Sequence, residues 1–199
     1  MVVVLAIAAV MVGACGAGGD GGDSNRASPI LSELTVQVAD LPESFTSLQP
    51  IDDFPLPEAI DFAVDAKFFV GSQDREAGLA MEFLVSGVAT IAIEDAVDDF
   101  FADPETFIRA TLADIGRDLE TVRVVPLENL GDDAVGVVYF PGGVGRQDII
   151  IFRRGDLLGY VGLFKPTDYS GMIDVGRTAA VMDERLASAL LAAGEAADP

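Results

Sequence analysis

Histidine is absent from the chain, which removes the side chain that most often moves protons and binds metals near neutral pH. Ser-His-Asp and Cys-His nucleophile systems and histidine-ligated zinc are excluded with it. A serine activated by lysine would need an S-x-x-K spacing to Lys67 or Lys165, the only lysines, and neither has one. Carboxylates remain. Asp52-Asp53, Asp95 with Asp98 and Asp99, and Asp132-Asp133 set acids close together, the raw material of a general acid–base pair or a hard-oxygen calcium site. No D-x-D-x-D-G pattern organises them, and among 33 acidic residues such neighbours arise by chance as solvated surface or helix caps. The opposite charge is concentrated once, at Arg153-Arg154, the only adjacent basic pair, with Arg146 and Lys165 expected nearby. Two guanidinium groups there can clamp an anionic group on a ligand or partner, or neutralise local Asp and Glu. Gly16, Gly18 and Gly21 satisfy G-x-G-x-x-G, but no strand precedes them and Pro29 follows, so the nucleotide fingerprint is not met.

Cys15 is the only thiol. It follows an uninterrupted apolar run from Val2 to Val12, then Gly13 and Ala14. That run is shorter than the roughly 20 residues of a membrane span and has the length of a secretory signal core. The quartet Val12-Gly13-Ala14-Cys15 resembles the lipobox of bacterial lipoproteins, in which an aliphatic and two small residues precede a cysteine that receives a diacylglyceryl group. The resemblance implies that residues 1–14 are a removed signal peptide and that Cys15 is the lipid attachment site, anchoring the protein in a bilayer on its extracytoplasmic side. Two or more acyl chains, at about 0.8 kcal/mol per buried CH2, hold a protein on a membrane where one would release it. The chain departs from that family in having no Lys or Arg before Arg26. A lone cysteine also excludes an intramolecular disulfide.

Gly16 to Pro29, GAGGDGGDSNRASP, has almost nothing to bury, so residues 15–29 read as a flexible tether with a reach of about 20 Å. The rest, 30–199, suits one domain large enough to be stable without disulfides or structural metal. No cofactor is implied. Its charge is one-sided: 12 basic against 33 acidic residues give a formal charge of -21. Nucleic acid is excluded as a partner, because binding it relies on cations displacing counterions from phosphates. High solubility and adaptation to salt are both compatible with this acidity.

The elements that must position these groups follow from periodicity. Leu34, Val36 and Val38 alternate as a strand, with a second short strand through Phe45 and Leu48. Pro50, Pro55 and Pro57 break the next stretch into loop, with room for one helical turn near Glu58 to Ile60. Phe62, Val64, Ala66, Phe68 and Val70 then share the dry face of a strand, with Asp61, Asp65 and Lys67 on the wet one. After a polar turn from Gly71 to Gly78, a single parity from Leu79 to Ile93 predicts an unusually long strand, bent or bulged at Ser86-Gly87, with a tight hairpin there as the alternative. Glu94 to Ala102 reads as a short helix. Asp103-Pro104 starts another with an N-cap and N1 proline, ending at Gly116. Strands are expected at Thr121 to Val125 and Ala134 to Phe140. A hairpin follows, Asp148 to Arg154 and Leu157 to Phe164 around Gly155-Asp156, with Phe152 opposite Gly159 and Ile150 opposite Val161. Both arms are apolar on both faces, which predicts a place in the middle of the sheet. From about Asp168 to Ala193, Met172, Val175, Ala179, Met182, Leu186 and Ala189 form a helical stripe, with Asp174, Arg177, Thr178 and Asp183 turned away.

This order predicts an α+β protein: an antiparallel sheet packed by a mid-chain helical stretch and a long C-terminal helix. As a pattern over Leu34 to Ala193 it resembles the PsbP-like fold seen in lipoproteins and photosystem accessory proteins, a resemblance that carries no site residues and no activity. Two functions fit: a non-enzymatic lipoprotein that binds a protein or small molecule, or an extracytoplasmic enzyme working through carboxylates or a divalent cation. Without histidine, stability is expected to be nearly flat from about pH 6.5 to 8.

Overall fold

The structure, a computed structural model, describes residues 31–48, 64–75, 78–91, 94–114, 122–140, 145–167 and 170–196. The expected leader with Cys15, the expected tether, the stretch expected as loop with Asp52-Asp53, and Gly116 lie outside them. Seven strands form one antiparallel sheet: β1 (Phe45–Leu48), β2 (Val64–Arg75), β3 (Gly78–Thr90), β4 (Arg123–Pro126), β5 (Asp133–Tyr139), β6 (Gly145–Arg154) and β7 (Leu157–Pro166), in the order β1-β2-β3-β7-β6-β5-β4. Four helices are described: α1 (Leu31–Leu34), α2 (Glu94–Ala102), α3 (Pro104–Asp114) and α4 (Val175–Ala196). The expected α+β class, with a mid-chain helical pair and a long C-terminal helix on an antiparallel sheet, is what the structure shows.

The middle of the sheet is dry on both sides, and alternation along the central strands divides their buried side chains between two cores. Ile149, Ile151, Leu158, Tyr160 and Val85 face Val97 and Phe100 of α2 and Ile108 and Leu112 of α3. Ile150, Phe152, Val161, Leu163, Leu84 and Val88 face Ala179, Met182 and Leu186 of α4, which are fully buried. The β6–β7 hairpin has the predicted register, Phe152 opposite Gly159 and Ile150 opposite Val161. It turns through Gly155 at φ 57°, a left-handed conformation that glycine adopts without steric cost. β7 is the central strand, as its two apolar faces required.

Four expectations about these elements fail for identifiable reasons. Leu34, Val36 and Val38 do not form a strand: the segment lies over the α4 face as α1 and a 3-10 turn, Val38–Asp40. The Val36 amide donates to the buried Ser86 hydroxyl at 3.0 Å, and the Gln37 amide to Asp40 Oδ2 at 2.7 Å, so side chains take up N–H groups that an edge strand would have needed. Ser86-Gly87 makes no bulge, because the ladders to β2 and β7 run through it unbroken. Gly87 lies under the Tyr160 ring, where a Cβ would stand 2.3 Å from Cε1. In β2 the supposedly wet parity holds Phe69, only 1% exposed, since the sheet has no solvated face there. The turn expected at Gly71 to Gly78 shortens to the link between Arg75 and Gly78, which pair.

Candidate functional site

β6 carries the basic residues that sequence reasoning singled out, and alternation separates them. Arg153 points to the α2 face, where its Nη1 pairs with Asp98. Arg154 points to the α4 face and makes a two-pronged contact with Asp183, Nε to Oδ1 at 2.8 Å and Nη2 to Oδ2 at 2.6 Å, and reaches Asp132 at 3.2 Å. Asp132 Oδ2 also accepts the Gly155 amide at 2.7 Å, and Asp183 Oδ2 the Gly131 amide at 3.0 Å. The two guanidinium groups therefore do not converge on one ligand; each holds a layer of the fold. Asp183, expected on the wet side of its helix with Thr178, is 7% exposed and Thr178 8%.

Arg146 and Lys165, expected near the same turn, stand at the other end of the hairpin. They face each other across β6 and β7, eight residues from Arg154 and so about 27 Å away along an extended strand. Asp148 lies two residues along the same face. Its Oδ1 accepts from Arg146 Nε at 2.7 Å, and its Oδ2 lies 3.6 Å from Lys165 Nζ. One strand further, Glu82 of β3 has no exposed surface. Its Oε1 accepts the Met172 amide at 2.7 Å, while its Oε2 is buried without a hydrogen-bond partner among the described residues. Burial pushes the Glu82 carboxyl above its ordinary 4.5, against the opposing pull of the Met172 amide, the Lys165 charge and the Ile173 amide. Sequence reasoning missed Glu82 because it read only the parity of β3 that runs from Leu79 to Ile93. The available signal was a charge sharing parity with Leu84 and Val88.

Arg146, Asp148 and Lys165 of this row, without Glu82, line a cleft of ≈ 520 Å³ between β4, β5 and β6 and the segment 170–176 that leads into α4. The helix covers β6 and β7, so the groove opens where the sheet continues past it. Its walls are apolar: Val125, Leu127, Val138, Ile150, Ile173 and Val175. Gly136 adds to its depth, the atoms nearest its missing Cβ being those of the Leu127 side chain at 3.6 Å. At the polar end, Arg146, Asp148, Lys165, Ser170 and Asp174 line it. Asp174 Oδ1 is engaged as the cap of α4, accepting the Gly176 and Arg177 amides at 2.9 and 3.2 Å. Such a place, concave, mostly apolar and with a few convergent polar groups, is the usual form of a small-molecule site. Elsewhere, Asp95, Asp98 and Asp99 lie exposed on α2. No three acidic side chains among the described residues gather closely enough to hold a metal ion, and no described helix is long and apolar enough to cross a membrane.

The chain is thus an α+β protein with a ligand-sized cleft on one face of its sheet. No protein-family model matches it and no curated protein matches its sequence.

Proposed function

We propose that the chain is a lipoprotein, anchored through a lipidated Cys15 to the extracytoplasmic face of a membrane, whose body is a non-enzymatic binding module for a small molecule. The anchoring half rests on the quartet Val12-Gly13-Ala14-Cys15 and the Gly/Ser/Asp-rich tether behind it. The binding half is carried by one observation, the ≈ 520 Å³ cleft walled by apolar side chains and closed by Arg146, Asp148 and Lys165. Its volume falls within the few hundred to a thousand Å³ common for ligand sites. Its carboxylates are engaged: Asp148 faces Arg146 and Lys165, and Asp174 caps a helix. That arrangement favours holding a molecule over moving its protons. A bilayer is the first partner on this reading, and the tether gives the cleft room above it.

Detergent-phase partitioning with mass analysis tests the anchor. The parent should enter the detergent phase with acyl mass on Cys15, and Cys15→Ser should stay aqueous or retain its leader. A Ser variant that enters detergent as the parent does, with no leader in its mass, overturns it.

A further inference from the structure

We infer that the cleft takes an acid-headed amphiphile, its anionic head on Arg146 and Lys165 and its apolar body along Val125, Leu127, Val138 and Ile173. The inference rests on the reading of this cleft as a ligand site and adds the chemical class. At the polar end Arg146 and Lys165 face Asp148, Glu82 lies buried on the next strand, within the field of Lys165 but outside the cleft lining, and Asp174 gives its Oδ1 to the amides of α4. Arg146 gives Nε to Asp148, and its Cζ stands 6.0 Å from the centroid of the Phe140 ring; its two terminal amino groups make no hydrogen bond among the described residues, although the side chain is 39% exposed and lines the cleft. The Lys165 side chain is less exposed, at 11%, and the nearest salt-bridge oxygen to its Nζ, at 3.6 Å, is beyond hydrogen-bonding distance. An ammonium group has three donors and a guanidinium five. The two terminal amino groups of Arg146 and the Lys165 ammonium have no hydrogen-bond acceptor among the described residues, and beside apolar walls an ionic hydrogen bond is stronger than in open water. A carboxylate or phosphate supplies the missing acceptors, and an apolar body fills the walls.

The chain's charge of -21 gives this inference a sharp test, because the long-range field favours a cation and only the local groups favour an acid. Calorimetric titrations with decanoate, decanol and decyltrimethylammonium, each below its micellar range and at physiological salt, separate the two. Decanoate should bind at least about tenfold more tightly than either other probe, and Arg146→Gln should remove about that advantage while leaving decanol unchanged, the scale of one charge-assisted hydrogen bond. Arg146→Lys, which keeps the charge and loses the fork, should retain part of it and serves if the Gln variant is poorly folded. Val138→Trp should block all three probes. Decanoate binding no tighter than decanol or the cation, or indifferent to both Arg146 changes, overturns the acid-head inference and leaves the cleft standing. If none of the probes binds the parent, or if Val138→Trp changes nothing, the cleft reading fails as well.

Discussion

Arg154 and Asp183 join two layers of the protein through paired contacts, Nε to Oδ1 at 2.8 Å and Nη2 to Oδ2 at 2.6 Å. One residue stands at the tip of the central hairpin and the other in the middle of α4, 29 positions later in the chain. The same carboxylate accepts the Gly131 amide, and Asp132 beside it accepts the Gly155 amide. Two turns and a helix therefore share one charged knot, with the Asp183 side chain 10% exposed and that of Arg154 28%.

Arg154→Ala should leave the Asp183 carboxylate sheltered and short of its partner, at a cost of about 2–3 kcal/mol, below the figure for a fully buried pair because Arg154 is part-exposed. Arg153→Ala breaks a pair whose acid, Asp98, is 62% exposed, and should change stability by less than about 1 kcal/mol. Urea unfolding of both variants checks the contrast. Equal losses would mean that the hairpin tip is not docked on α4 through Arg154.

The acid limb of stability should be set by Asp183 and Asp40. Burial raises both carboxyls, but for Asp183 the Arg154 bonds, the Gly131 amide and the Arg154 charge outweigh it, and for Asp40 the Arg185 bond, the Gln37 amide and the Arg185 and Lys67 charges do. Both end below their ordinary 3.8. A carboxyl held low when folded contributes stability above its unfolded value, and this is lost as pH falls through the folded one. Unfolding free energy should therefore drop as pH passes below 3.8, and drop less in Arg154→Ala and Arg185→Ala. An unchanged acid limb in both variants would refute the assignment.

Glu82 has the opposite sign. Its carboxyl is raised above 4.5 when folded, first by burial, so its proton is held more tightly in the fold than out of it. That stabilisation is complete below 4.5 and disappears as pH rises through the folded value. Glu82→Gln has no proton to lose and keeps an acceptor for the Met172 amide. Its stability relative to the parent should rise with pH from 4.5 upward, by on the order of 1 kcal/mol, the scale of a buried unsatisfied polar group. A difference independent of pH would show that the fold leaves the Glu82 carboxyl at its unfolded value. Glu82 is also the described group to watch if stability between pH 6.5 and 8 proves less flat than the absence of histidine suggests.

Gly159 tests the packing of the sheet against α4. A Cβ there would lie 2.4 Å from Phe152 Cζ, and Phe152, with no exposed surface, has nowhere to move. Gly159→Ala should cost about 1–3 kcal/mol as overpacking. Adding Phe152→Leu, which withdraws the ring, should make the double variant lose less than the two single losses combined. Additive losses in thermal melts would show that ring and glycine do not meet.

The local elements were legible where side-chain chemistry and backbone demand agree. Asp103-Pro104 starts α3, with Thr106 N donating to Asp103 Oδ1 at 3.2 Å, and Gly155-Asp156 fixes a two-residue turn from which the whole β6–β7 register follows. The stripe Ala179, Met182 and Leu186 had one use, burial on a sheet. The absence of histidine, the charge of -21 and the lone Cys15 are properties of composition and need no fold. The partners of each charge did need one. Alternation says that Arg153 and Arg154 face opposite ways, but only the sheet order and the two helix layers bring Asp98 to one and Asp183 to the other. The same holds for Glu82, Lys165 and Arg146, which are far apart in the chain yet stand in one row because β3, β7 and β6 are neighbours in the order of the strands. Periodicity reports one element's own faces. Which faces are covered, and what a buried charge meets there, is decided by contacts between elements whose separation in sequence carries no signal of their meeting.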